Sequence, residues 1–201
     1  MARQRSTPVT PEASVDVRRA VLDGALDIIA TEGAEAVSMR EVARRAGVSH
    51  QAPYHYFGDR AGIFAAISQE GFRSFTEEFR RALDIPGNIA ANCLRAYVSF
   101  AIAHKGHYRV MFRSDICGIH THEDTMSAAD EAFLCLLDLA EAVDPERDPA
   151  DAMTLPIALW AQAHGLATLI IDSPLLDKLP PETNLDELIN KVSQLTTWSK
   201  Q

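Results

Sequence analysis

Apolar positions along this chain recur at three- and four-residue spacing from one end to the other. Pro11 to Asp16 reads as a helix entry, after which Val17, Val21, Ala25 and Ile28 share one face until Gly33 closes the segment. A second, shorter stripe follows at Met39, Val42, Ala43 and Ala46, with Arg40, Glu41, Arg44 and Arg45 assigned to the solvent side. Ser38 and Glu41 form an S-x-x-E capping box at its start, and Gly47 supplies a left-handed cap at its end. Val48 can pin the turn to the core. Ser49 is a good N-cap for a further helix beginning at His50. Helix, glycine turn and helix over residues 38–57 make a helix-turn-helix pattern.

The rest of the chain continues as helices. Gly58-Asp59-Arg60-Ala61 opens a long one with Ile63, Ile67, Phe72, Phe75 and Phe79 on its apolar face, broken at Asp84-Ile85-Pro86-Gly87. Ile89 to His104 is the next, Gly106 marks a joint, His107 to Arg113 is a short aromatic segment, and Gly118 to His122 is a loop. Glu123 to Val143 carries Ala132, Leu136, Leu139 and Ala140 in register. Ala150 to Ile171 is an apolar helix interrupted by Pro156 and stopped by Ser173-Pro174, and Asn184 to Ser199 aligns Leu185, Leu188, Ile189, Val192 and Leu195. The expected class is all-α.

The helix after Ser49 has an unusual outer face. His50, Gln51, Tyr54 and His55 project outward while Tyr56 and Phe57 close the core, a poor arrangement for plain solvation but a suitable one for reading a major groove. Glutamine can bond adenine bidentately, and His and Tyr can reach phosphates or base edges. Pro53 removes a backbone donor and biases Ala52 away from the helical basin, which predicts a short, 3-10-like or kinked start. A packed helical hairpin with no ligand is the structural alternative at this point.

Composition and charge sharpen the reading. With 201 residues and 47% hydrophobic content, the chain can bury a full core. Its net charge of −9 argues against nucleic-acid binding when taken whole. The charge is unevenly spread, however: residues 1–60 hold 8 basic and 8 acidic residues, so all the excess acid lies beyond them. Only the first part suits an approach to phosphate. Cys93, Cys117 and Cys135 lack C-x-x-C spacing, which fits reduced thiols in a cytoplasm and excludes a zinc ribbon. The basic start, with Arg3 and Arg5, has no apolar segment behind it and reads as a flexible arm. Ile157 to Ile171 falls short of the ~20 residues a bilayer span needs. A soluble, cytoplasmic protein is expected.

Val37-Ser-Met-Arg-Glu-Val-Ala-Arg-Arg-Ala-Gly-Val-Ser49, followed by Tyr54-His-Tyr-Phe-Gly-Asp-Arg60, resembles the DNA-binding domain of the TetR family of bacterial transcriptional regulators. The resemblance covers about residues 14–65 and includes the capped helix with its Val-Ala pair, the A-G-V-S turn, the Y-x-Y-F run and a basic residue opening the next helix. It departs at Ala52-Pro53, where many relatives carry a small residue and then Leu.

The resemblance implies an arm at 1–13, a three-helix DNA-binding domain at 14–60 and a larger helical effector-binding and dimerisation domain at 61–201. Recognition-helix contacts would come from His50, Gln51, Tyr54 and His55, phosphate contacts from Arg40 and Arg60, and further contacts from Ser38 and Ser49. Arg3 and Arg5 would be candidates for a minor groove. The implied partners are a near-palindromic double-stranded operator, a small-molecule effector that releases a repressor, and a second copy joined through the last two helices. No cofactor, metal or enzyme activity is expected.

Trp160-Ala-Gln-Ala-His164-Gly165 and the segment from Phe100 to Phe112 also resemble the Trp-His-Gly (WHG) subgroup of TetR C-terminal domains. Trp160 and His164 share a helix face at i, i+4, and Gly165 would let another helix approach. Phe100, His104, Tyr108, Met111, Phe112, Trp160 and His164 are the candidates for an effector pocket, with plain packing as the simpler reading of each. The rival is a helical metal protein or enzyme that uses His104, His107, His120 and His122. Against it stands the absence of H-E-x-x-H, G-x-S-x-G or a Cys–His arrangement from the sequence.

Overall fold

The structure, a computed structural model, describes residues 11–172 and 175–195. Arg3 and Arg5, the Ser173-Pro174 stop and the final stretch to Ser199 lie outside the described residues. Among these residues the chain is helical throughout, as the spacing predicts: α1 (Pro11–Glu32), α2 (Met39–Ala46), α3 (Ala52–Phe57), α4 (Arg60–Leu83), α5 (Ile89–Ala103), α6 (Lys105–Met111), α7 (Glu123–Val143), α8 (Thr154–Asp172), α9 (Leu175–Lys178) and α10 (Leu185–Leu195).

Two apolar cores are strung along α4. Ile63, Phe64 and Ile67, in its first half, pack with Val21, Leu22, Ile28 and Ile29 of α1 and Met39 and Val42 of α2. Phe72, Phe75, Phe79 and Ala82, in its second half, join α5, α7 and α8 through Leu94, Val98, Leu136, Leu139 and Ala167. The same helix therefore belongs to both cores. Its start is fixed by Asp59, whose Oδ1 accepts from the Gly62 N–H at 2.9 Å.

Helix α6 locks the two cores together. Val110 inserts into the first core, joined there by Cys117 from the segment after the helix, while Tyr108 and Met111 belong to the second. Gly106 does not sit at a joint, as expected, but inside α6, where a Cβ would stand 3.0 Å from Leu26 Cδ2 of α1. The joint falls at His104, whose φ of −118° and ψ of 46° end α5 and begin α6.

Glu70 of α4 ties the same three helices by charge. Its carboxylate accepts from Arg19 of α1 at 2.8 and 2.7 Å and lies 3.2 Å from His107 Nε2 of α6. The His107 hydrogen bond, and after it Arg19, hold its pKa down at about 2 from an ordinary 4.5. A carboxylate with a depressed folded pKa contributes its stability above about 4.5 and loses it as pH falls towards about 2. Glu70 is 35% exposed, so after allowance for solvent screening Glu70→Gln should cost about 1–2 kcal/mol at neutral pH. Urea melts should show that gap closing as pH falls from 4.5, and a gap constant with pH would refute the account.

Three further expectations change. Pro156 does not interrupt α8; it is the third residue of the helix and buried, a position where the missing N–H costs little. The helix proper begins at Thr154, after a 3-10 turn at Pro149–Asp151, and α10 begins at Leu185. That turn lengthens the apolar run: Pro149–Asp172 spans 24 residues with a mean hydropathy of 1.4 over 18, long and apolar enough by those measures to cross a membrane. Only 22% of that window is buried. Ile157, Trp160 and Leu169 of α8, and Met153 just before it, are exposed, and a Cβ on Gly165 would meet nothing within 4 Å, so among the described residues no other helix approaches it.

Candidate nucleic-acid interface and ligand cavity

The turn between α2 and α3 is built as the residues predict. Ser38 takes an extended conformation and its Oγ accepts from the Glu41 N–H at 3.2 Å. The Glu41 carboxylate turns to Arg44, at 2.8 and 2.5 Å, and to Arg45, instead of completing the box. Arg45 is not a free solvent-side cation either. It is half-buried among Asp27, Glu32 and Glu41, which pins α2 to α1. At Gly47 the backbone adopts φ 65°, ψ 28°, and the Gly47 and Val48 N–H groups return to carbonyls of the last turn of α2.

Helix α3 starts at Ala52 rather than His50, and the reason is Pro53. Ser49 does not cap it; Ser49 to Gln51 form a turn in which the Ala52 N–H reaches Ser49 O at 3.0 Å. Pro53 thereby falls within the first helical turn, where its missing donor is harmless. This is the 3-10-like entry the proline predicts. The buried side chains are Ala52 and Pro53, whereas Tyr56 and Phe57 are only partly buried. Arg18 lies over the Phe57 ring at 5.1 Å.

On the opposite side, Arg40, Ser49, His50, Gln51, Tyr54 and His55 are exposed, Tyr54 to 52%. Arg40, His50 and Tyr54 line one open cleft between the start of α2 and α3. Arg60 is differently engaged: it donates to Ala34 O at 2.9 Å, pairs with Glu35 at 3.5 Å and lies over the Phe64 ring at 4.8 Å. Its guanidinium is thus half committed inside the domain.

The second core borders a partly open cavity of about 330 Å³. Of the residues expected there, Met111, Phe112 and Trp160 line it. Phe100, His104, Tyr108 and His164 do not. Phe100 is packed edge-on to Phe75, and His104 faces Glu78 at 3.5 Å. Tyr97 and Tyr108 hydroxyls stand 3.0 and 3.1 Å from His164 Nδ1, and burial lowers the His164 pKa, favouring the neutral ring that can accept from them. The walls that were not among the cavity candidates are Phe72, Phe75 and Phe79 of α4, Tyr97 of α5, and Phe133 and Leu136 of α7. The α4 trio is periodic in the sequence, but a wall and a solid core leave the same periodic signal.

The histidine cluster does not assemble. His107 faces Glu70 while His120 and His122 lie in the turn before α7, and among the described residues no group of three or more His, Cys, Asp or Glu side chains is arranged to hold a metal. The three cysteines are buried and unbridged, and burial pushes the Cys93 thiol up to about 12.

A helix-turn-helix unit with an exposed polar α3 face, locked by α4 and α6 to a hollow helical body, defines a DNA-binding regulator class. The chain belongs to the tetR family of bacterial regulatory proteins: the model of that description matches residues 21–67, and one described as the tetracyclin repressor-like C-terminal domain matches residues 90–192. Over 98 residues the chain is 45% identical to the HTH-type transcriptional regulator BetI of Rhizobium meliloti (strain 1021), a match covering 49% of this chain and 43% of that protein. It therefore spans less than half the length of that relative. A solved protein of unknown function from Rhodococcus sp. RHA1 is similar with a TM-score of 0.70 and 28% identity, over 89% of this chain and 92% of the other. PfmR of Thermus thermophilus, a TetR family transcriptional regulator, shares the fold with a TM-score of 0.66 and 18% identity, over 92% and 97% of the two chains. The family and these regulators are not enzymes.

Proposed function

We propose that the chain is a cytoplasmic repressor that binds a near-palindromic operator as a homodimer and leaves it when a small molecule enters the C-terminal cavity. The observation that carries this is the exposed Arg40–His50–Tyr54 cleft beside a recognition helix in a tetR-family chain. His50, Gln51, Tyr54 and His55 are the proposed groove readers, and Arg40, with Ser38 and Ser49, contacts the backbone. Arg60 reaches phosphate only on leaving Glu35. The domain division proposed is an arm at 1–13, a DNA-binding unit at 14–60 and an effector and dimer unit from 61.

The route from cavity to DNA runs through α6. Met111 and Phe112 line the cavity at its C-terminal end, while Gly106 and His107 hold α1 and α4 at the other. A ligand that displaces Met111 moves α6 against α1, and the separation of the two recognition helices leaves the ~34 Å spacing of successive major grooves.

Dimerisation through α8 and α10 rests on the uncovered apolar surface of α8. In a two-fold interface each substitution acts twice, so Ile157→Arg, which places a charge at a 54% exposed apolar site, should leave the chain monomeric and folded at micromolar concentration by sedimentation. A dimer that persists would move the interface elsewhere.

Footprinting on DNA upstream of the chain's own gene tests the whole proposal. A protected near-palindrome whose affinity falls with salt is expected, because phosphate contacts release counterions. Absence of protection would count against operator binding.

A further inference from the structure

We propose that Glu35 competes with operator phosphate for the Arg60 guanidinium, and that Arg113 sets the strength of that competition; this rests on reading Arg60 as a phosphate contact. Glu35 is the middle residue of the 3-10 turn Ala34–Ala36 between α1 and α2. One carboxylate oxygen, Oε2, stands 3.5 Å from Arg60 Nη2 at the start of α4. The other, Oε1, accepts from Arg113 Nη2 at 3.3 Å. A single carboxylate is thus shared between a cation of the DNA-binding unit and one of the helical body. Arg113 is anchored by Asp115, at 2.8 and 2.6 Å, in the turn after α6, where its carbonyl oxygen accepts from the Ile116 and Cys117 N–H groups. Phe112 and Ser114, on either side of it, line the cavity.

Glu35 is 73% exposed, and an ion pair in that position is weak enough for a phosphate to displace it. The carboxylate opposes the displacement in two ways. It holds the guanidinium, and its own charge lies within a Debye length, about 8 Å at physiological salt, of a phosphate seated on Arg60. Arg113 works in the other direction: by pairing with Oε1 it neutralises part of the carboxylate and leaves less of it for Arg60. The Ala34 carbonyl, 2.9 Å from the same Arg60 nitrogen, and the Phe64 ring hold the guanidinium beside the turn, so the exchange involves side chains alone. A shift of the Phe112–Ser114 turn then alters how much of Glu35 is left for Arg60, which gives the helical body a second route to the DNA contact.

Glu35→Gln, Arg113→Gln and the double variant are titrated as full chains against the footprinted operator and a scrambled duplex at two salt concentrations, with Arg60→Gln beside them. Glu35→Gln should tighten binding to both duplexes about fivefold, because a weak exposed ion pair is removed in each of two protomers, and the gain should shrink as salt rises. Arg113→Gln should weaken binding about threefold in the parent and leave it unchanged in the Glu35→Gln background, since its effect passes through Glu35. Melting temperatures should hardly move at sites this exposed, whereas a packing role would lower stability and affinity together. Unchanged or weaker binding by Glu35→Gln overturns the competition. An Arg113→Gln loss that persists without Glu35 gives Arg113 a DNA contact of its own and overturns the relay. Arg60→Gln should weaken binding and flatten its salt dependence. If it does so while Glu35→Gln changes nothing, the competition falls and the phosphate reading stands; if it alters neither, the phosphate reading falls and takes the competition with it.

Discussion

Tyr54→Ala should weaken operator binding by about 2–6 kcal/mol, because one base contact is worth roughly 1–3 kcal/mol and a two-fold dimer makes it twice. Tyr54 is 52% exposed and its ring supports neither core, so the melting temperature should hardly move. That combination separates a groove reader from a packing residue, whose loss lowers both. Arg40→Ala offers the matching contrast. If Arg40 holds phosphate, its loss weakens binding to every sequence alike and flattens the salt dependence, while Tyr54→Ala changes which sequences are preferred. Titrations of parent and variants against the footprinted operator and a scrambled duplex, at two salt concentrations, measure both. Unchanged affinity in the Tyr54 variant would remove α3 from the groove.

Gly62→Ala should lower stability by about 3 kcal/mol, near the upper end for overpacking, and the melting temperature by roughly 6–12 °C for a chain of this size. A Cβ there would stand 2.0 Å from the carbonyl oxygen of Phe57. The neighbour is backbone rather than the flexible end of a side chain, so the last turn of α3 and the first turn of α4 must separate. The same movement strains Gly58, at φ 74°, and the Asp59 cap on Gly62 N–H. Operator affinity should therefore fall as well, though no residue proposed to touch DNA has changed. Thermal denaturation checks the first effect, and a variant that melts with the parent would mean that the α3–α4 corner relaxes without cost.

The helices were legible because each signal is local. Ser38, Gly47 and Asp59 act within three or four residues of themselves, and the apolar stripes of α1, α2 and α4 are buried as their spacing demands. Pro53 was legible only in part. Its chemistry announced a distorted start to α3, but not whether the chain would kink the helix or begin it later. The turn at Ser49–Gln51, closed by the Ala52 N–H, makes that choice. Arg45 and Arg60 misled for the opposite reason, since a cation at a helix surface looks free until Asp27, Glu32, Glu35 or the Ala34 carbonyl is folded against it from a distant segment.

The cavity was the least legible feature. Phe100, His104, Tyr108 and His164 were sensible candidates because polar and aromatic residues near an apolar helix suggest a site. The folded chain spends them on one another, on Glu78 and on the two tyrosines around His164. The walls come from Phe72, Phe75 and Phe79, which any reading of periodicity assigns to a solid core, and from Asp130, which reads as an ordinary surface carboxylate.

By itself the amino-acid sequence determined the all-helical class, the helix-turn-helix and its outward-facing His50, Gln51, Tyr54 and His55, and the family they point to, because capping, turn chemistry and periodicity act over a few residues. Only the tertiary structure decided that α6 bridges two cores through Val110 on one side and Tyr108 and Met111 on the other, that Arg60 is half committed, and that a hollow lies between α4, α5, α7 and α8. Those depend on how side chains far apart in sequence fill, or fail to fill, a shared volume, which local pattern does not encode.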